Sequence, residues 1–307
     1  MLRRNLIAAA SFAAPAIASR ASLGQTLRSV KMGTAPGAAT CAAIGMPALL
    51  EPEGIDLELV QIPALGQRMQ AVASSDLDIG NGGLSAAMQL ATKGSPMQIL
   101  ANGCEGGWLV LAQPSINGWK DLVGKKIAVQ SGSTGLVSLN WKLRQEGVHG
   151  KVEPVFMDDR DQPAALMRGD VAAICPFEPY AALAEQNGWG KRLWVPYESP
   201  IGRTNVGLVG STAFVKKNPE LTRKIVASHV KATQAVAADP TVAVHATIKA
   251  FDMTEEVAVR AARNLFFTTD SGAQFVSGLK GLSKMMIDDK LLDKEPDWVS
   301  FLNLGYV

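Results

Sequence analysis

Four short segments of this chain carry the residues best able to hold a polar molecule. Gln130-Ser131-Gly132-Ser133-Thr134-Gly135 offers three hydroxyls and unhindered main-chain amides. Gly80-Asn81-Gly82-Gly83-Leu84-Ser85 offers a side-chain amide between glycines that let a ligand approach the backbone. Thr34-Ala35-Pro36-Gly37 and Pro176-Phe177-Glu178-Pro179-Tyr180 are the other two. Each leaves an apolar run and opens a stretch with helical spacing, so each is expected to be a strand-to-helix turn. There the first amides of a helix lack partners and the helix dipole presents its positive end. Ser131, Ser133 and Thr134 would add hydroxyl donors, and the site suits an anion or a strongly polar head group. The same residues also make an ordinary helix cap, and both readings stand. Glu178 is the acid of the set, placed to meet an amine or N–H donor, or simply to sit in a helix first turn where a carboxylate is favoured.

Two further positions lie where the chain would cross between halves of the molecule. Trp108 follows Gly106-Gly107 and could cover an apolar or cationic part of a ligand, or belong to the core. Arg203 and Asn205 lie at a second crossing, where Arg203 could meet a carboxylate or sulfonate.

Other chemistry finds little in the sequence. Gly80 to Ser85 comes close to a dinucleotide fingerprint, with Glu105 at about a ribose-contact distance, but Ser85 stands where the third glycine belongs. No G-x-S-x-G elbow occurs. His149, His229 and His245 form no pair with metal-ligand spacing, and Asp158-Asp159-Arg160-Asp161 could hold a cation but reads better as a loop and helix cap. Neither metal nor cofactor is expected.

The elements that must position these turns say nearly the same thing twice. Gln70-Ala71-Val72-Ala73-Ser74-Ser75-Asp76-Leu77-Asp78-Ile79 aligns with Ala164-Ala165-Leu166-Met167-Arg168-Gly169-Asp170-Val171-Ala172-Ala173, and the following helices end in register at Gly94 and Gly188. Strands are expected over 29–33, 55–62, 78–80, 97–102 and 108–112, with helices over 38–50, 65–74 and 84–93. A second unit follows a loop at 114–118. Its strands are expected over 126–129, 152–156, 172–175 and 191–195, and its helices over 134–146, 161–168 and 176–187. A strand at 205–209 returns to the first unit, and helices over 219–238, 242–251, 255–266 and 273–290 complete the chain. Strands alternating with helices imply mostly parallel sheets with right-handed crossovers. The expected fold is therefore α/β with two lobes. Lobe 1 comprises residues 28–112 and 206–307, lobe 2 residues 113–205, a helical C-terminal tail lies on lobe 1, and a cleft lies between the lobes.

The chain has 307 residues, 47% of them hydrophobic and 19% charged, which suits ordinary globular lobes. Arg3-Arg4 precedes an apolar run over 6–18 that ends in Ala16-Ile17-Ala18, and no acid occurs in residues 1–21. Basic start, short apolar middle and small-residue exit make residues 1–21 an expected signal peptide, exported by either the Sec or the twin-arginine route. Cleavage after Ala18 leaves 28 basic against 28 acidic residues, which removes the charge argument for nucleic acid as a partner. Cys41, Cys104 and Cys175 are an odd set in apolar surroundings, expected to be buried thiols, with one bridge open to them in an oxidizing compartment.

These turns, in this order, resemble the periplasmic solute-binding proteins of bacterial ABC importers, in the nitrate/sulfonate/taurine group. The residues that carry the resemblance are Asp76-Leu77-Asp78-Ile79-Gly80, Trp119-Lys120-Asp121-Leu122-Val123-Gly124-Lys125-Lys126-Ile127-Ala128-Val129 and Glu178-Pro179-Tyr180, within about residues 28–300. The resemblance implies a type II two-lobed binding protein that closes like a Venus flytrap. It implies a monomer in the periplasm, working with an ABC permease and ATPase and no cofactor. It also implies ligand contacts at Thr34, Ala35, Asn81, Gly82, Ser131, Ser133, Thr134 and Glu178. Here Ala38-Ala39-Thr40-Cys41-Ala42-Ala43 replaces the bulky residues usual near the start of the first helix. The same fold also hosts pyrimidine- and thiamine-precursor enzymes, and ligand-sensing subunits are a third use.

Overall fold

The computed structural model describes residues 27–307. The expected signal peptide lies outside them. Strands and helices alternate from β1 (Arg28–Thr34), α1 (Ala42–Leu50), β2 (Ile55–Gln61), α2 (Leu65–Ala73), β3 (Ile79–Gly83) and α3 (Leu84–Thr92) to β4 (Met97–Gly106). A second set runs β5 (Val110–Ala112), β6 (Lys126–Val129), α4 (Thr134–Gln145), β7 (Glu153–Phe156), α5 (Gln162–Arg168), β8 (Ala173–Cys175), α6 (Tyr180–Gln186) and β9 (Lys191–Trp194). The chain then returns through β10 (Val206–Ser211), α7 (Thr212–Lys217), α8 (Pro219–Ala238), α9 (Thr241–Phe251), α10 (Glu255–Ala262), β11 (Leu265–Phe267), α11 (Ala273–Asp288) and α12 (Trp298–Phe301).

Two sheets result, ordered β11-β4-β10-β3-β1-β2 and β7-β6-β8-β5-β9. In the first, β1 pairs parallel with β2 and β3, while the returning β10 wedges antiparallel between β3 and β4. In the second, β6 pairs parallel with β7 and β8, and β5 joins antiparallel to β8 and β9. Each sheet is covered on both faces, and β6, β8 and β10 read accordingly as largely apolar runs. Val30, Met32, Met46 and Ile225 belong to a core on one face of the first sheet; Met69, Leu84, Met88, Leu279 and Leu282 belong to a core on the other. Trp119, Ile127, Leu139 and Trp194 center one core of the second sheet; Leu111, Ala128, Ile174 and Ala184 center the other.

Four local expectations differ from what is observed. β5 belongs to the second sheet, so the first crossing lies at 106–109, not after Ala112. β3 continues to Gly83 because β10 pairs with it over that whole length. The helix expected over 255–266 ends at Ala262, and Leu265–Phe267 instead forms an edge strand on β4. The C-terminal helices also touch both lobes. Val257 and Ala261 of α10 are buried against Ala182 of α6, and Val137 of α4 is buried in the first lobe's core.

The crossing itself demands glycine. Gly107 has φ +89°, its amide donates to the Asn264 carbonyl at 2.9 Å, and a Cβ there would run into the Phe177 ring. A left-handed backbone with no room for a methyl makes Gly107→Ala costly on two counts. The substitution is expected to lower stability by about 2 kcal/mol or more, read as a lower urea midpoint with unchanged slope.

Candidate functional site

The parallel strands β1, β3, β6 and β8 all end at the gap between the two sheets, where open α/β sheets present their ligand-binding turns. The gap is a cleft of about 480 Å³. Of the expected site residues, Ala35, Trp108, Ser131, Ser133, Thr134, Glu178 and Asn205 line it.

Thr34, Asn81 and Gly82 do not reach this lining, and the extension of β3 explains two of them. Asn81 and Gly82 are strand residues here, not turn residues. The Asn81 side chain faces a separate cavity of about 10 Å³ lined with Thr40, Gly103, His229 and Thr233. Gly82 lies against Met69, where a Cβ would meet its terminal methyl. Thr34 is buried at the end of β1, with its hydroxyl unpartnered among the described residues.

The α4 turn is built as its composition implies. Ser133 caps the helix, its Oγ accepting from the Leu136 amide at 3.0 Å while donating to the Gln130 carbonyl at 2.8 Å. Thr134 Oγ1 lies 3.2 Å from Ser85 Oγ on the opposite lobe. Ser131 stays exposed at the cleft rim. Gly135 lets the Trp108 ring lie flush on the helix, since a Cβ at 135 would collide with the indole. Trp108 is buried, tilted against Phe177 at 5.1 Å, and donates from Nε1 to Asn205 Oδ1 at 3.3 Å. Arg203 is exposed outside the cleft, its guanidinium 3.9 Å from the Phe266 ring center.

Glu178 is buried at the cleft wall with both oxygens engaged. Oε2 accepts from the Ala182 amide at 2.9 Å, and Oε1 accepts from Asn264 Nδ2 across the lobe junction. Desolvation pushes its carboxyl up to about 8, against the lowering effect of those two donors. Asp159 lines the same wall, half-buried, with Oδ1 accepting from Gln162 Nε2 at 3.0 Å. Desolvation pushes it up to about 7 against the lowering effect of the Phe177 amide, and Asp158 adds to the rise.

Arg68 was not among the expected site residues. It lines the cleft from α2 and is 1% exposed. Its Nε donates to the Asn81 carbonyl and its Nη1 to the Ile62 carbonyl, leaving three of the five guanidinium N–H groups without a partner among the described residues. No carboxylate of the described residues forms a salt bridge with it. Burial lowers it to about 10, so it stays cationic at neutral pH. The signal was available in the sequence: Leu65, Arg68, Met69 and Val72 share one helical stripe, and an arginine on an apolar stripe is out of place unless it has a polar task. Among the titratable residues outside the cleft, His229 is buried with Nε2 2.8 Å from the Asn102 carbonyl, and all three cysteines are buried free thiols.

Fold and cleft together define a periplasmic-binding-protein-like molecule. A family profile described as NMT1/THI5 like matches residues 50–243, and the chain belongs to that family. The taurine-binding periplasmic protein of Escherichia coli (strain K12) is 28% identical over 191 residues. That match covers 57% of this chain and 55% of the relative, so the similarity spans about half of the relative's length. Among solved structures, a ligand-binding component of an ABC-type import system from Staphylococcus aureus superposes with TM-score 0.78 at 19% identity, covering 91% of this chain and 97% of that one. The aliphatic sulphonate binding protein SsuA of Escherichia coli gives 0.77 at 18%, covering 89% and 91%. The nitrate-binding protein NrtA of Synechocystis PCC 6803 gives 0.74 at 13%, covering 90% and 86%.

The Glu178 carboxyl holds its proton more tightly in the folded chain, at about 8, than at its ordinary 4.5. Its contribution to stability is therefore complete below pH 4.5 and lost as pH rises toward 8. Glu178→Gln is expected to flatten part of that decline in urea midpoints measured from pH 5 to 8. Asp159 contributes in the same direction over a lower range, so some slope should remain.

Proposed function

We propose that the protein is the extracytoplasmic solute-binding component of an ABC importer. It captures a small polar organic molecule or anion and presents it to a membrane permease coupled to an ATPase. The observation that carries this reading is the cleft: about 480 Å³ between two sheets, lined from both by strand-end turns that offer amides and hydroxyls. Relatives named for taurine, sulphonate and nitrate binding support it. So does the basic-then-apolar start of the sequence, which suits export to the periplasm. Recognition is the chemistry, with no bond made or broken. Closure of the lobes around a solute converts occupancy into a shape that a permease can distinguish.

A thermal-shift panel of nitrate, alkanesulfonates, taurine and pyrimidine heterocycles tests the reading. A ligand at about 100 times its Kd adds about 2.7 kcal/mol and should raise the melting temperature clearly. No shift from any member, with a cooperatively folded protein, would count against a solute receptor of this class.

A further inference from the structure

The charges in the cleft are not mixed; they are sorted by lobe. Arg68 stands on the first lobe, nine-tenths buried and more, without a carboxylate partner among the described residues. The carboxyls that line the cleft, Asp159 and Glu178, both belong to the second lobe. Glu178 has each oxygen committed to a protein donor; Asp159 accepts from the Gln162 side chain and the Phe177 amide, is less buried than Glu178, and has no salt-bridge cation among the described residues. The neighboring Arg160 pairs with Asp158 instead. Gln162 is itself fixed, since its Oε1 accepts from the Cys175 amide at 3.1 Å. Asp159 is therefore a held acceptor, as Arg68 is a held donor.

We propose that the cleft is bipolar: Arg68 takes an oxyanion head group of the ligand, and Asp159 takes an ammonium or N–H group at its other end. The proposal rests on the solute-receptor reading and fixes the ligand's polarity, anion toward the first lobe and donor toward the second. A guanidinium tethered through two main-chain carbonyls keeps its remaining N–H groups in a rigid fork, which matches sulfonate, carboxylate or another oxyanion. Ser85 and Thr134, 3.2 Å apart and both lining the cleft, supply one hydroxyl from each lobe. A ligand spanning both poles also touches both lobes, which is what closure requires.

Calorimetric titration of the full mature chain tests this with matched probes. One series is ω-aminoalkanesulfonates and ω-aminocarboxylates of two to four carbons; the controls are the same acids without the amine and the same amines without the acid. The tightest amino acid or aminosulfonate is expected to bind about 10- to 100-fold tighter than its deaminated control, the range for one hydrogen bond to a charged group. The bare amine is expected to bind weakest. Asp159→Asn should reduce the advantage of the amine to a few-fold, by weakening the amino ligand and tightening the deaminated control, which no longer strips water from a carboxylate. Arg68→Lys should weaken every oxyanion probe by tenfold or more. If the arginine variant fails to fold, replacing the sulfonate by its uncharged sulfonamide in the wild-type chain asks the same question. Deaminated acids that bind as tightly as their amino counterparts, or an Asp159→Asn protein that keeps the full discrimination, would overturn the bipolar assignment and leave a solute receptor standing. Silence from every probe in this series and in the wider panel would remove the receptor reading itself.

Discussion

The side-chain amide of Asn205 holds the molecule's two halves in one geometry. Its Nδ2 donates to the Gly106 carbonyl at 2.9 Å on the other crossing, and its Oδ1 accepts from Trp108. Its own main-chain carbonyl takes the Leu84 amide at 3.0 Å, where α3 begins. Gly106 answers by donating to the Arg203 carbonyl at 2.8 Å. One buried residue thus ties both crossings, the start of a cleft-lining helix and the tryptophan at the cleft wall. A hydrogen bond of this kind contributes only about 1 kcal/mol in itself, but leaving a buried partner unmet costs about 1–3 kcal/mol. The junction is therefore specific because each of its groups has one available answer.

From that junction α4 acts as a lever. Its first turn carries Ser133 and Thr134 at the cleft, and its far end carries Asn140 and Arg144, which bond Asp289 at the end of α11 at 2.9 and 2.6 Å. Between them Val137 is fully buried among first-lobe side chains. Burying a valine contributes about 1.5–3 kcal/mol, whereas the Arg144–Asp289 pair is largely buried and the cost of desolvating it offsets much of its attraction. The apolar contact accounts for most of the adhesion between α4 and the first lobe, and the Asp289 bonds fix its angle. Because α4 packs on both lobes, its N-terminal turn meets the first lobe directly, with Thr134 Oγ1 3.2 Å from Ser85 Oγ.

Local chemistry made much of this legible in the sequence. Strand–turn–helix alternation, the duplicated segments around Asp76 and Asp170, and the capping hydroxyl of Ser133 all follow from short-range pattern. Misses occurred where a distant strand decides. Nothing near Asn81 and Gly82 says that β10, more than 120 residues later, will pair with them and draw them out of the turn. Leu265–Phe267 follows helical spacing until the end of β4 offers it an edge. Glu178 stood out as a carboxylate in a turn, but its bond to Asn264 joins residues 86 apart and is visible only in the folded chain. Arg68 differs from these: its place on the apolar stripe of α2 was readable, and its importance lay in what it lacked.

That lack has an energetic meaning. Moving a charged group out of water costs several kcal/mol, and folding has already done so for Arg68, with the carbonyls of Ile62 and Asn81 as partial compensation. An oxyanion arriving within about 4 Å gains roughly 4 kcal/mol of attraction at the effective dielectric of a partly buried site, without desolvating the guanidinium a second time. Desolvation pushes the Asp159 carboxyl up to about 7, so at neutral pH it is charged only part of the time and its attraction for a donor is smaller. The two poles therefore have unequal tasks. The arginine end supplies most of the affinity, because its desolvation is complete before binding. The aspartate end supplies discrimination, because a ligand lacking a donor strips water from a carboxylate and gives nothing in return.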